Sequence, residues 1–259
     1  MAEVLTKIIT ETLSSGVEPL HRKYYGVYDG YGEVPIAYFT ETEVFTSVSG
    51  IVADYKSAIE NTETGRRFSL SCIASAIRAV RELRERDRQI SFITAEVTGS
   101  FLRGNVLKDL DGILGDVSGE KICLAFSEKA LIEGGEKVAE GIADARGMGF
   151  SAAVYGFNGE ESLSALMRVP VNYAFLSPEM TVKTRNRDKS GLFTALTGLM
   201  RSLRISTVLC GVDGDDAIRD ATATECFGIM PSDGYTGQFN FRKGGADIND
   251  ILSDGERVL

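Results

Sequence analysis

An α/β fold closed as a TIM-like (β/α)8 barrel is what the sequence predicts, on three observations. From residue 89 onward, short β-rich runs alternate with longer segments whose apolar residues recur every three or four positions. Strand alternating with helix builds a parallel sheet. The chain has 259 residues and 43% hydrophobic content, enough for one large core and the size of a single barrel. The strand count approaches eight, which favours closure over an open sheet.

The elements follow in order. Residues 24–28 and 34–39 read as a hairpin around Gly30-Tyr31-Gly32, with helices expected over 48–59 and 70–83. Apolar runs at 90–95, 122–126, 150–155, 171–176 and 205–210 read as buried parallel strands. Between them, 101–114, 137–148, 162–167, 191–203 and 215–227 carry helical spacing. A last short strand is expected over 235–239. Residues 1–241 are taken as one barrel domain, and 242–259, acidic with Gly244-Gly245, as a peripheral tail.

Charge excludes some partners. The net charge is −9, and Lys and Arg form no long basic stripe, which argues against nucleic acid. Arg81, Arg84, Arg86 and Arg88 cluster, but Glu82, Asp87 and Glu85 alternate with them, as on a solvated helix end. Cys72, Cys123, Cys210 and Cys226 sit apart inside apolar runs, so buried thiols in a reducing compartment are expected. No apolar stretch approaches the roughly 20 residues of a membrane span, and residues 1–18 mix charges through their apolar positions. A cytoplasmic protein without membrane contact and without a cofactor is the expectation.

The segment 149–177, GFSAAVYGFNGEESLSALMRVPVNYAFLS, resembles the EAL-domain family. In these bacterial phosphodiesterases, which open cyclic di-GMP, a strand ending in DDFG precedes a Ser-Leu-x-x-Leu helix and a Pro-Val-Asp-x-x-Lys-Ile-Asp strand. Ser162-Leu163 and Leu166 keep the helix, and Pro170-Val171-Asn172 opens the next strand. Leu209-Cys210-Gly211-Val212-Asp213 is similar to the family's AEGVE, and Gly228 through Asp233-Gly234-Tyr235 to its closing G-x-x-x-x-Q-G-Y. Leu124 to Glu128 stands where the family has E-x-T-E, and residues 90–95 where a strand ends in N-L-S. The resemblance covers most of residues 24–239 and implies a barrel of EAL type with an antiparallel first strand.

The family's two divalent metals activate water for attack on a phosphodiester, which requires converging carboxylates. The resemblance puts Ala125 at the metal Glu, Tyr155 and Gly156 at the paired aspartates, and Ile93 at the metal Asn. It puts Phe175 at the Lys, Cys210 at the AEGVE Glu and Asp233 at the closing Gln. The name-giving Glu falls near Tyr38 or Phe39, with Glu41 and Glu43 close by. Ala, Ile, Tyr, Gly and Phe offer no ligand to a hard cation. Glu128 and Asp213 survive as the second acids of their motifs.

Other chemistries find little support. The sole histidine, His21, precedes the expected first strand and reads as a surface residue. Cys210 ends a strand without a histidine to activate it. Asp213, Asp215 and Asp216 suit a helix N-cap and first turn. Gly156-Phe157-Asn158-Gly159 lacks phosphate-loop spacing and reads as a βα loop. Tyr24, Tyr25, Tyr28 and Tyr31 read as strand and hairpin packing.

The expected function is that of a degenerate EAL-like protein in bacterial signalling, working through protein contacts or through a ligand bound without hydrolysis. The alternative is residual cyclic di-GMP phosphodiesterase or receptor activity. No catalytic and no metal-binding residue is assigned. Tyr155, Asn158, Glu128, Asp213 and Asp233 are the candidate ligand-binding residues of the mouth. Cyclic di-GMP is disfavoured as a ligand because rings and an added acid replace its polar partners. The protein partner is unspecified and a homodimer stays open.

Overall fold

The computed structural model describes residues 7, 9–11, 20–30, 32, 34–46, 50–51, 55–159, 163–184, 190–239, 241–242 and 244–253. The chain begins with an antiparallel hairpin, β1 (Leu20–Val27) and β2 (Ala37–Thr46), in register from Leu20↔Val44 to Val27↔Ala37. Tyr31, assigned above to the turn, lies outside the described residues. A two-residue strand, β3 (Gly50–Ile51), pairs with the end of β2. From β2 the sheet turns parallel, through β4 (Ile93–Glu96), β5 (Ile122–Ser127), β6 (Ser151–Phe157), β7 (Tyr173–Leu176), β8 (Ser206–Val212) and β9 (Gly228–Pro231).

The ring closes between the first and last strands. Tyr28 N donates to Ile229 O at 2.9 Å and Ile229 N to Tyr28 O at 2.8 Å. Gly228 permits this approach, since a Cβ there would lie 2.8 Å from the Tyr28 carbonyl oxygen. The product is a nearly closed eight-strand barrel, alternating with helices and carrying an antiparallel first strand.

Helices α1 (Tyr55–Ile59), α2 (Glu63–Glu85), α3 (Gly99–Leu102), α4 (Val106–Leu110) and α5 (Glu128–Gly147) cover the first half. Then come α6 (Leu163–Leu166), α7 (Pro178–Thr184), α8 (Ser190–Ser202), α9 (Asp215–Ala223) and α10 (Ile248–Ser253). Phe68, Cys72, Ile73, Ala76, Ile77, Val80 and Leu83 form the buried stripe of α2, at the three- and four-residue spacing of an amphipathic helix. Such faces pack on the outward strand residues as one core. A second core fills the barrel interior.

Several boundaries depart from expectation for local reasons. The expected helix at 101–114 is two, because Gly104-Asn105 interrupts it and the Asn105 side chain caps α4 through Lys108 N. Helix α5 starts at Glu128, where Ser127 Oγ accepts from Ala130 N at 3.1 Å; Gly134-Gly135 had masked its first turns. Only Tyr55–Ile59 of the span 48–59 is a described helix. The last strand is Gly228–Pro231, not 235–239. Tyr235 is buried in a loop, its hydroxyl donating to Asp215 Oδ1 at 2.7 Å and its ring 5.2 Å from Phe241.

His21 lies inside β1, not before it, with Nε2 2.7 Å from Asp247 on a partly exposed face. Residues after Arg242 meet the barrel through Ala246, which exchanges backbone bonds with Tyr24, and through the buried Ile251 and Leu252. Among the described residues no helix is long and apolar enough to cross a membrane.

Candidate functional site

Strand alternation sends every second side chain into the barrel. Tyr173, Phe92 and Phe227 sit together at one level, with Phe92 4.4 Å from Tyr173 and 5.6 Å from Phe227 by ring centroids. Next come Phe175 and Phe39, 5.1 Å apart. Tyr155, 5.8 Å from Phe39, lies at the strand ends. Cys123, Ala153, Val208 and Cys210 fill the gaps between rings. The interior is therefore a stack of aromatic rings running up to the C-terminal mouth, where barrel enzymes hold their chemistry.

Charge enters only at the rim. Glu96, the last residue of β4, is 3% exposed and accepts from Thr42 N on Oε2 at 2.8 Å. Its other oxygen is 2.6 Å from Lys56 Nζ. Lys56 belongs to α1, which Tyr55 fixes to β2 by donating its hydroxyl to Thr42 O at 2.5 Å. The same ammonium lies 3.6 Å from Glu41 and 5.7 Å from the centroid of the Tyr155 ring, within cation–π range.

Burial works to lower the Lys56 pKa, but the Glu96 charge, with help from Tyr155 and Glu41, outweighs it and holds the ammonium above the ordinary lysine value. Burial, then the Glu96 charge, pushes the Tyr155 phenol well up. Desolvation alone raises Cys210 to about 12, so it is no thiolate nucleophile near neutrality.

The placement of the sequence-derived positions is mixed. Tyr155 and Phe175 reach one mouth, and Cys210, two residues past Val208, the register partner of Phe175, joins the same interior cluster. Ala125 pairs in register with Glu96 and Ala153 and is fully buried. Ile93 does not belong there: it joins the helix-facing core, and the mouth-facing position of its strand is Glu96, three residues on. Asp233 is likewise displaced, exposed on the loop beyond β9, while Met230 packs on the interior at that strand's end. Of the positions near the name-giving Glu, Phe39 faces inward and Tyr38 packs outward against Tyr24.

Glu128 and Asn158 do come together, in a structural role. Glu128 Oε1 accepts from Asn158 N and Gly159 N at 3.2 and 3.3 Å, which uses the very amides a phosphate would need. Asp213 is exposed beyond β8, and its carbonyl accepts from Thr236 N at 3.1 Å. The N-cap of α9 is Gly214, so Asp213 is not the cap; Asp215 and Asp216 do occupy the first turn.

Glu96 and Lys56 were missed. The alternation Phe92, Thr94, Glu96 could have exposed the first, but nothing local in the sequence aims Lys56 at the mouth. Two divalent metals do not fit this donor set. Glu41 and Glu96 converge on an ammonium, Tyr155 and Phe175 supply rings, and no described group of three or more His, Cys, Asp or Glu could hold a metal ion.

The model of the EAL domain family matches residues 23–230. Among solved structures, the EAL enzyme Bd1971 in its cAMP- and cyclic-di-GMP-bound form is similar with a TM-score of 0.77 and 13% identity, over 97% of this chain and 68% of that one. The FimX EAL domain from Pseudomonas aeruginosa bound to c-di-GMP gives 0.73 and 10%, over 88% and 93%. An EAL domain protein from Listeria monocytogenes EGD-e gives 0.73 and 13%, over 100% and 98%. No curated protein matches the chain. Likenesses this distant in sequence establish the fold.

Proposed function

The chain belongs to the EAL domain family, and from that premise we propose that it is a catalytically degenerate member, acting in cyclic di-GMP signalling through protein contacts without hydrolysing the dinucleotide. One observation carries this reading: the aromatic stack of Phe39, Tyr155 and Phe175 rises to the mouth, and the carboxylates beside it are engaged by Lys56. Hydrolysis in the family runs on two divalent ions, and a Lys–Glu pair supplies neither their charge nor their open coordination positions. Rings of this size bury of order 150–250 Å² each and hold their place by packing.

A second reading, that of a cyclic di-GMP receptor, is favoured by the ligand found in the Bd1971 and FimX structures. The half-buried Tyr155 ring, with the candidate residue Asn158 just beyond it at the end of the same strand, would be its contact point. Glu41, Glu43 and Asp233 all act on Tyr25, so acids gather on the side of the mouth where phosphates would have to pass, and repulsion disfavours binding.

Purified protein incubated with cyclic di-GMP and magnesium or manganese is expected to release no linear dinucleotide above a heat-inactivated control, and calorimetric titration to show no heat with or without magnesium. Metal-dependent release would overturn the degenerate reading. Low-micromolar binding abolished by Tyr155→Ala would replace it with the receptor.

A further inference from the structure

The barrel's other end carries a surface unlike the rest of the molecule. Between the C-terminus of α5, the turn from α6 into β7 and the turn from α8 into β8 lies a cleft of about 580 Å³. Arg146, Arg168 and Arg204 line it, all exposed, and no acidic residue does. Several arginines elsewhere are held by carboxylates, Arg66 by Asp109, Arg81 and Arg84 by Asp116, Arg201 by Glu225 and Arg219 by Asp216, while Arg22 donates to Ser71 Oγ and Arg103 to Asn61 Oδ1. Here, among the described residues, Arg146 donates only to the Pro170 carbonyl, at 3.2 Å. Among the described residues, the Arg168 and Arg204 guanidinium groups pair with no carboxylate.

In a chain with 37 acidic residues against 28 basic ones, three uncompensated guanidinium groups in one cleft are a local reversal of charge. Apart from Asn172, whose side-chain oxygen accepts from Ala152 N, the rest of the lining is apolar. Val169 and Val171 are buried, and Met167 is 61% exposed, more than any other large hydrophobic side chain described. Arginine and methionine are enriched where proteins bind one another, and arginine forks match carboxylates in pairs.

We propose that this cleft docks an acidic segment of a protein partner, its carboxylates on the three arginines and an apolar side chain against Met167. A peptide fits better than nucleic acid. Three cations neutralise about three phosphates, too few for useful affinity at physiological salt, whereas a peptide can also place an apolar side chain against the exposed Met167. The inference rests on the protein-contact reading for its class of partner. Hydrolysis at the mouth would refute that reading without changing the cleft, and a cleft that binds nothing would leave the mouth as described.

Arg204 offers a clean variant. It sits in the left-handed region, φ 60, just past α8, where glycine is the relaxed residue. Arg204→Gly therefore removes a charge without threatening the fold. The probe is a short fluorescein-labelled glutamate-rich peptide with one central leucine, titrated at low salt and followed by anisotropy. A lysine-rich peptide and a single-stranded oligonucleotide are run in parallel. The glutamate peptide is expected to bind, the lysine peptide not.

Arg204→Gly should weaken binding about threefold to tenfold with an unchanged or raised melting temperature, and Arg168→Glu should abolish it. No binding, or binding indifferent to both substitutions, overturns the proposal. Tighter arginine-dependent binding of the oligonucleotide overturns it in favour of a nucleic-acid site.

Discussion

Replacing Lys56 with methionine tests whether the mouth is held by an internal ion pair. The substitution keeps the length and apolar stem of the side chain and removes only the ammonium, leaving Glu96, 3% exposed, with a single backbone donor in Thr42. Stranding one partner of a fully buried pair costs about 3–5 kcal/mol. Lys56 keeps 32% of its side chain exposed, so water screens part of the charge, and about 2–3 kcal/mol is expected at neutral pH. With a urea m-value near 2.5 kcal/mol/M, the midpoint should fall by about 1 M.

A double variant fixes the cause: Lys56→Met with Glu96→Leu should recover most of the loss. In the native protein the raised Lys56 pKa sets the pH window: its stabilisation is fully present below the ordinary lysine value and is lost only as pH rises through the folded one. Denaturation followed by far-UV circular dichroism reads both. A midpoint shift under about 0.2 M, or a double variant no more stable than Lys56→Met, would refute the pairing.

Phe175→Ala should cost about 3–5 kcal/mol by opening a cavity among Phe39, Phe92 and Val208, read as a melting temperature lower by roughly 10 °C. An unchanged melting curve would mean the ring stack is not packed. Phe175→Lys, which restores a cation the resemblance calls for, should yield no hydrolysis and a less stable protein, since its neighbours are apolar; measured turnover would contradict this. At pH 8 native protein should react with Ellman's reagent at Cys226 alone, because burial raises Cys210 to about 12, Cys72 to about 11 and Cys123 further. Unfolding should expose all four thiols, and prompt labelling of Cys210 in the native state would count against its burial.

The middle of the barrel was legible because its strands are buried on both faces: the run at 122–126 differs by one residue from β5 (Ile122–Ser127) and 205–210 by little from β8 (Ser206–Val212). The last strand was not, because Gly228-Ile229-Met230-Pro231 is four residues long and ends in proline, whereas the aromatic run at 235–239 has the composition of a strand and packs as a loop. Candidate positions followed the same logic. Tyr155 and Phe175 were found through the resemblance, whose motifs lie at the ends of strands the sequence also marks. Ile93 was misplaced because the resemblance was laid along the sequence without regard to which face alternate residues take, and a three-residue shift exchanges faces. Lys56 had no chance of being seen, since its place depends on where α1 lies and only the assembled ring brings it to Glu96.

The junction of Tyr28 with Ile229 sets how this ring can come apart. Around most of the circumference, neighbouring strands share ladders of several paired residues; between β1 and β9 there is one bridge with two hydrogen bonds, and β2 and β4 share one paired position, Tyr38 with Ile93, reinforced by Ser91 N donating to Ile36 O. Mechanically the molecule is a curled ribbon fastened by a clasp. Force applied across the clasp loads two bonds in parallel while the long ladders stay in reserve, so the hoop opens there and leaves a twisted open sheet. The glycine at 228 that lets the two edges touch thus also decides where they part.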